Sequence, residues 1–213
     1  MNGFFLTLDG IDGAGKSTHL DFIRNFLQEN QVDTIFTREP GGTALGESLR
    51  SLLLNPDNNI CADAETLLMF AARSQHLNEL IIPALNQGKW VVSDRFTDAS
   101  FAYQCGGRNI PLEKMKILEN WVQNDFRPDF TIILDIPLEI SIERIEQSRD
   151  KDRFELEQKE FFSRVRNIYL ERANANPERY AVVDSSLEKD IVQKQIKNII
   201  SGCLKQYNRK IAL

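Results

Sequence analysis

The chain has 213 residues, 42% of them apolar, and carries 26 basic against 31 acidic side chains for a formal charge of −5. That length suits one domain with a substantial core, and the acidic balance argues against general nucleic-acid binding, which needs a basic stripe. No apolar run approaches a membrane-spanning length, and the opening MNGFFLTLDG lacks the basic start of a secretion signal. The cysteines, Cys61, Cys105 and Cys203, are too scattered for a zinc site or a disulfide framework, so a reducing cytoplasm is the expected setting. His19 and His76 stand alone and read as surface or helix residues, not metal ligands.

In chain order, Phe4–Asp9 (FFLTLD) reads as a buried strand that runs into a glycine-rich turn. A helix is predicted over Lys16–Gln28, a strand over Thr34–Thr37 and a helix over Leu45–Leu54. Ala64–Leu85 reads as one long helix that Pro83 kinks or shortens near its end. Trp90–Asp94 (WVVSD) is a third strand, and Leu112–Trp121 a helix with Met115, Leu118, Trp121 and Val122 at helical spacing. Phe130–Asp135 (FTIILD) is a fourth strand, followed by a helix from about Leu138. Phe154–Ala173 reads as a helix, Tyr180–Asp184 (YAVVD) as a fifth strand, and a helix closes the chain. Near-continuous apolar strands alternating with helices predict a parallel sheet with helices on both faces. In such sheets ligands sit at the carboxyl ends of the strands, where Asp9–Ser17, Arg38–Glu39 and Asp94–Arg95 fall.

Residues 10–17 read GIDGAGKS, the full GxxxxGK[ST] pattern carried by Gly10, Gly15, Lys16 and Ser17. Glycines let backbone N–H groups wrap phosphate oxygens, and the helix that follows offers its positive end. Lys16 would add charge at the β and γ oxygens, while Ser17 can ligate Mg2+. A strand before and a helix after favour a phosphate loop over a ligand-free glycine turn. The stretch Gly10, Ile11, Asp12, Gly13, Ala14, Gly15, Lys16, Ser17 and Thr18 is thus the candidate nucleoside triphosphate site. The loop itself names no reaction.

An acceptor that is also a phosphate needs cationic screening, and guanidinium forks match phosphate oxygens. Arg38 and Arg95 stand at strand ends, Arg50 in the following helix and Arg73 in the long one. Each alone reads as a surface ion pair; two at strand ends beside the phosphate loop shift the balance towards a site. Asp94, ending the third strand, is placed to orient a Mg2+ shell, with a cap or turn as the plainer role.

The ordered set GIDGAGKST (10–18), TREPGGT (37–43), FAARSQH (70–76), SDRF (93–96), SFAYQCGGR (100–108) and DRFELE (152–157) resembles the thymidylate kinases, the bacterial type in particular, from about Phe4 to Asp184. The resemblance implies a P-loop NTPase three-layer fold with a five-stranded parallel sheet, and one nucleoside monophosphate kinase domain over residues 1–213 with a mobile lid at about 144–156. It implies ATP and dTMP as substrates, Mg2+ as cofactor, dTDP as product on the route to dTTP, and a homodimer. By motif match, Asp12 would lie near the acceptor sugar and the transferred phosphate, and Arg38, Arg50 and Arg95 around the acceptor phosphate. Arg73 would hydrogen-bond the base, with Ser100 and Gln104 close by and Tyr103 near the deoxyribose. The position that stacks on thymine in many relatives is Met69 here, with the aromatic Phe70 one residue on, so both are candidates. Eukaryotic-type relatives carry an arginine where this chain has Gly13; bacterial-type relatives place arginines in a lid, matched by Arg144, Arg149 and Arg153. Arg149 and Arg153 are therefore catalytic candidates beside Lys16, Arg95 and Asp12, although Asp150, Lys151 and Asp152 make a solvated charge run an equal reading for any one of them. Three alternatives remain: a kinase for another monophosphate or a deoxynucleoside; a GTP-binding switch, for which the chain has no NKxD motif; and a non-catalytic nucleotide-binding module, against which the acceptor-side matches argue.

Overall fold

The computed structural model describes residues 2–146 and 152–211. Five strands, β1 (Phe4–Asp9), β2 (Thr34–Arg38), β3 (Trp90–Asp94), β4 (Phe130–Asp135) and β5 (Tyr180–Asp184), form one parallel sheet in the order β2-β3-β1-β4-β5. β1 lies at the centre, and all six of its residues are buried. Its side chains alternate between faces, as a strand requires. Phe4, Leu6 and Leu8 join a cluster with Ile23 and Leu27 of α1 (Lys16–Glu29) and Ile196 and Ile200 of the C-terminal helix. Phe5 enters a second cluster with Leu77, Ile81 and Leu85. Helices therefore cover both faces, and each fully buried Leu or Phe contributes about 1.5–3 kcal/mol. Thr7 and Thr131 satisfy each other across β1 and β4 at 2.8 Å, so two hydroxyls cost little inside the sheet.

The remaining helices are α2 (Ala44–Leu54), α3 (Ala62–His76), α4 (Ile82–Asn86), α5 (Thr97–Ser100), α6 (Leu112–Gln123), α7 (Leu138–Glu146), α8 (Lys159–Ala175) and α9 (Lys189–Ile211). The long helix expected up to Leu85 changes character after His76. A π-helical turn, Leu77–Ile81, joins α3 to α4, whose second residue is Pro83. Proline lacks the N–H that would continue the i→i−4 ladder, and a wider turn absorbs the loss. The helix expected from Phe154 starts later, at Lys159, because the Asp152 carboxylate accepts the N–H groups of Phe154 (2.8 Å) and Glu155 (3.0 Å). That side-chain turn competes with helix formation. A second π-helical turn, Phe101–Gly107, follows α5 and was not read from the sequence.

The connection from β1 runs to one side of the sheet and that from β3 to the other. Their carboxyl ends, which are neighbours through the pairing of Leu8 with Asp94, thus flank the crevice where open α/β sheets bind ligands.

Candidate active site

The phosphate loop follows β1 directly. Gly10, Gly13 and Gly15 have φ of 143°, 76° and 82°, values that side-chain-bearing residues rarely adopt. A Cβ at Gly10 would meet the Leu134 carbonyl oxygen at 2.4 Å, and one at Gly13 the Ser141 carbonyl oxygen at 2.7 Å. The loop therefore presses its backbone against β4 and α7, and Gly13 has no room for an arginine. Ile11 and Ala14 are buried and anchor the loop, whereas Ser17 and Thr18 in the first turn of α1 are exposed. Among the described residues no side chain caps α1, so its first N–H groups remain available to an anion. Lys16 Nζ donates to the carbonyls of Gly10 (3.2 Å) and Ile11 (3.1 Å) and lies 3.7 Å from Asp12. Arg144 of α7 reaches over the loop and donates to the Gly13 carbonyl at 3.1 Å.

Two acids mark the crevice. Asp94 has a buried carboxylate oxygen, Oδ1, with no hydrogen-bond partner among the described residues, and Asp9 has another, Oδ2. Burial, reinforced by the Asp98 carboxylate and opposed by Arg95, pushes Asp9 up to about 7. Among the described residues no group of three or more acidic, histidine or cysteine side chains could cage a metal. Mg2+ asks for less, one or two carboxylates with phosphate and water completing its shell, and the orphaned oxygen of Asp94 beside the loop fits that role.

Beyond the loop lies a cleft of about 100 Å³, partly open to solvent. Arg95 joins loop and cleft. It donates to the Gly10 carbonyl (2.8 Å), Tyr169 Oη (3.2 Å), Tyr103 Oη (3.1 Å) and Asp12 (2.5 Å). Its φ of 67° is an uncommon left-handed conformation for a side-chain-bearing residue, a strain of the kind that clusters at functional sites. Tyr103 also donates to Asp12 at 2.7 Å. Burial works to raise the Asp12 carboxyl, but Arg95 and Lys16 outweigh it and hold it at about 2. Asp12 is thus an anion clamped between donor loop and cleft.

Arg73 lies at the far wall, 2% exposed. Nε donates to Glu39 at 2.7 Å, and Nη2 to the Phe96 carbonyl (3.2 Å) and Ser100 Oγ (3.0 Å). Nη1 is buried with no partner among the described residues, and Arg73 lines the cleft. His76 completes the support, with Nδ1 3.0 Å from Glu39 and Nε2 2.7 Å from Thr37. Both histidines sit on helices, but they are buried, not on the surface. Of the two stacking candidates, Met69 lines the cleft; Phe70 packs in the core with Phe101, Ile110 and Met115, its ring 4.7 Å from the Arg73 guanidinium. Arg50, Ser100, Tyr103 and Gln104 also line the cleft. Arg38 does not: it is half exposed and paired with Glu47 at 2.8 Å.

The lid candidates separate. Arg144 is at the phosphate loop. Arg153 is on the cleft's side, donating to Glu65 (2.6 Å) and the Leu53 carbonyl (2.8 Å). Arg149 lies outside the described residues. Glu39, placed from the sequence at a ligand-bearing strand end without a role, supports Arg73 and His76; Glu65 and Tyr169 also belong to the site and were not singled out as site residues from the sequence. A signal existed for Glu65: Glu65, Met69, Arg73 and His76 are spaced by four, four and three residues, one face of a helix.

A phosphate loop joined by Arg95 to a second, arginine-walled cleft defines the class, a P-loop nucleotide-binding protein with a second candidate site. A family model described as Thymidylate kinase matches residues 8–196. The chain is 58% identical over 202 residues to a thymidylate kinase of Neisseria meningitidis serogroup C, covering 95% of this chain and 98% of that protein. It is 52% identical over 200 residues to one of Methylobacillus flagellatus, covering 94% and 98%. The crystal structure of thymidylate kinase from Ehrlichia chaffeensis superposes with a TM-score of 0.75 at 31% identity, covering 93% of this chain and 98% of that one. The chain belongs to the thymidylate kinase family.

Proposed function

We propose that this chain transfers the γ-phosphoryl group of ATP to dTMP, giving ADP and dTDP on the route to dTTP. The observation that carries this reading is the Arg95 network, which ties the phosphate loop to a cleft whose far wall ends in Nη1 of Arg73, buried with no partner among the described residues. Phosphoryl transfer needs alignment and charge neutralisation more than covalent help. The loop amides and Lys16 hold the donor phosphates, with Arg144 at the rim. Arg95 and Arg50 receive the acceptor phosphate, and Asp12 fixes Arg95 and meets the sugar. Tyr103 walls the deoxyribose, Met69 covers one face of the base, and Arg73 with Ser100 and Gln104 reads its edge. The nucleophile is already a phosphate oxygen, so no general base is assigned. Asp94 and Ser17 would hold Mg2+, which neutralises phosphate charge when bound.

Residues 1–213 are read as one domain, and the segment at about 144–156 as its lid, with Arg149 and Arg153 as candidates to meet the transferred charge. A homodimer is part of the reading. Leu67 of α3 and Ile117 and Trp121 of α6 are 55%, 65% and 77% exposed, and α3 and α6 are packed together through the Asp63–Lys114 pair. An isologous helical interface would cover them, and sedimentation should give twice the chain mass; a monomer at every concentration would remove the dimer. The expected setting is the cytoplasm, in keeping with three free thiols and with no helix among the described residues long and apolar enough to cross a membrane.

The test is a 31P NMR time course of ATP with dTMP and Mg2+. Equal growth of ADP and dTDP is expected. Growth of ADP with inorganic phosphate alone would overturn the reading.

A further inference from the structure

Glu65 is 0% exposed on α3, a costly place for a carboxylate unless it is paired on every side. Oε1 accepts from Gln104 Nε2 at 2.9 Å and from Arg108 Nε at 3.3 Å. Oε2 accepts from Arg108 Nε at 3.1 Å and from Arg153 Nη2 at 2.6 Å. Arg108 is itself held by Glu157 and lies 4.9 Å from the ring centroid of Phe161. Two guanidiniums therefore offset the charge, and one neutral amide completes the shell.

That amide belongs to a cleft-lining residue. A carboxylate flanked by two guanidiniums accepts hydrogen bonds and donates none, so the nitrogen end of the Gln104 amide must turn towards Glu65. The oxygen end, Oε1, then has no partner among the described residues and is the end Gln104 can offer to the cleft. Across the cleft Arg73 offers only a donor, Nη1, its other nitrogens being engaged by Glu39, Phe96 and Ser100. The base wall thus presents one donor and one acceptor with fixed polarity. A pyrimidine edge with a 4-keto oxygen beside an N3–H matches it. A 4-amino pyrimidine presents a donor beside a bare nitrogen, so both pairings reverse.

We propose that Glu65 is a positioning residue that locks the polarity of the Gln104 amide and thereby makes the cleft select keto over amino pyrimidine monophosphates. This rests on the dTMP reading above and adds what sets its specificity. Glu65 touches no substrate; it acts through Gln104.

The experiment compares kcat/KM for dTMP and 5-methyl-dCMP, which share the 5-methyl group and differ in the edge alone. Four full-length proteins are measured: wild type, Glu65→Gln, Gln104→Leu and the double variant. In Glu65→Gln the new amide can donate to Gln104 Oε1, which frees Gln104 to turn over. The dTMP to 5-methyl-dCMP ratio should fall about ten- to a hundredfold, the scale of one mispaired buried polar group, with the loss for dTMP mainly in KM. Gln104→Leu should lower the ratio by a similar factor, and adding Glu65→Gln to it should change the ratio no further. An unchanged ratio in Glu65→Gln, or independent multiplication of the two effects, would overturn the proposal. If Glu65→Gln does not fold, hydrogen exchange of the Gln104 side-chain amide in the wild type decides: strong protection supports the lock, and exchange at the free-amide rate overturns it. Wild-type protein without dTMP turnover would instead remove the proposed function itself.

Discussion

On the proposed donor side the groups offered are backbone N–H groups from one run of consecutive residues, Gly10–Thr18, pressed against Leu134 and Ser141 by Gly10 and Gly13, which admit no Cβ. On the proposed acceptor side the groups are side chains brought together from α2, α3, α5, the turn after it and the residues that follow β2 and β3. Each acceptor-side group needs a neighbour to hold it: Glu39 for Arg73, Asp12 for Arg95, Glu65 for Gln104. A backbone cradle is insensitive to most side-chain changes but intolerant of any Cβ at Gly10 or Gly13. A side-chain cleft can change specificity one residue at a time, at the risk of leaving a buried partner unpaired.

The largest expected effect is on the donor side. Lys16→Ala should lower turnover roughly 10²–10³-fold, by analogy with loss of one preorganised charge-stabilising group, while the fold survives. Near-normal turnover would mean that the loop does not hold the transferred phosphate. On the acceptor side Arg95 and Arg73 should part company. Arg95→Ala should impair every monophosphate, because Arg95 is proposed to meet the acceptor phosphate and also braces Gly10 and Asp12. Arg73→Ala should erode preference among bases by about one to two decades. Identical effects on all acceptors would collapse the division between phosphate and base. The proposed lid arginines sharpen the comparison further. Arg144→Ala should raise KM for ATP, as its contact with Gly13 suggests, whereas Arg153→Ala should lower kcat more than it raises KM for dTMP. A rise in KM for dTMP with kcat unchanged would instead leave Arg153 as a support for Glu65.

The last effect concerns stability and not turnover. Asp9 titrates near 7 in the folded chain against about 3.9 when unfolded. The folded state binds the proton more tightly, so this group's stabilising contribution is full below about 4 and is lost as pH rises towards 7. Metal-free Asp9→Asn protein should lack that decline, which urea unfolding at pH 5 and pH 8 would reveal. An identical pH slope in both proteins would show that Asp9 is not its source.

The same contrast explains what the sequence disclosed. Strands such as FFLTLD and FTIILD are apolar on both faces and announce a buried parallel sheet. The phosphate loop is contiguous and its glycines are diagnostic. Arg73, Ser100 and Gln104 were legible through motifs, and the structure lines one cleft with them. Arg38 looked equivalent to Arg95 at a strand end, but β2 is the edge strand and Arg38 turns to Glu47. The start of α8 was misplaced because the Asp152 turn depends on one local side chain. Glu39 was legible only as a residue at a ligand-bearing strand end, without its role beside Arg73, and Glu65 was passed over because a lone acid reads as solvated until its arginine partners are brought to it by the fold.

Acceptor choice tests the assignment to dTMP most directly. ADP release at fixed ATP, measured across dTMP, dUMP, dCMP, AMP and GMP, should rank dTMP first. The missing methyl should cost dUMP only about 1–3 kcal/mol in kcat/KM, and purine monophosphates should be very poor. Equal turnover with AMP or GMP would contradict it.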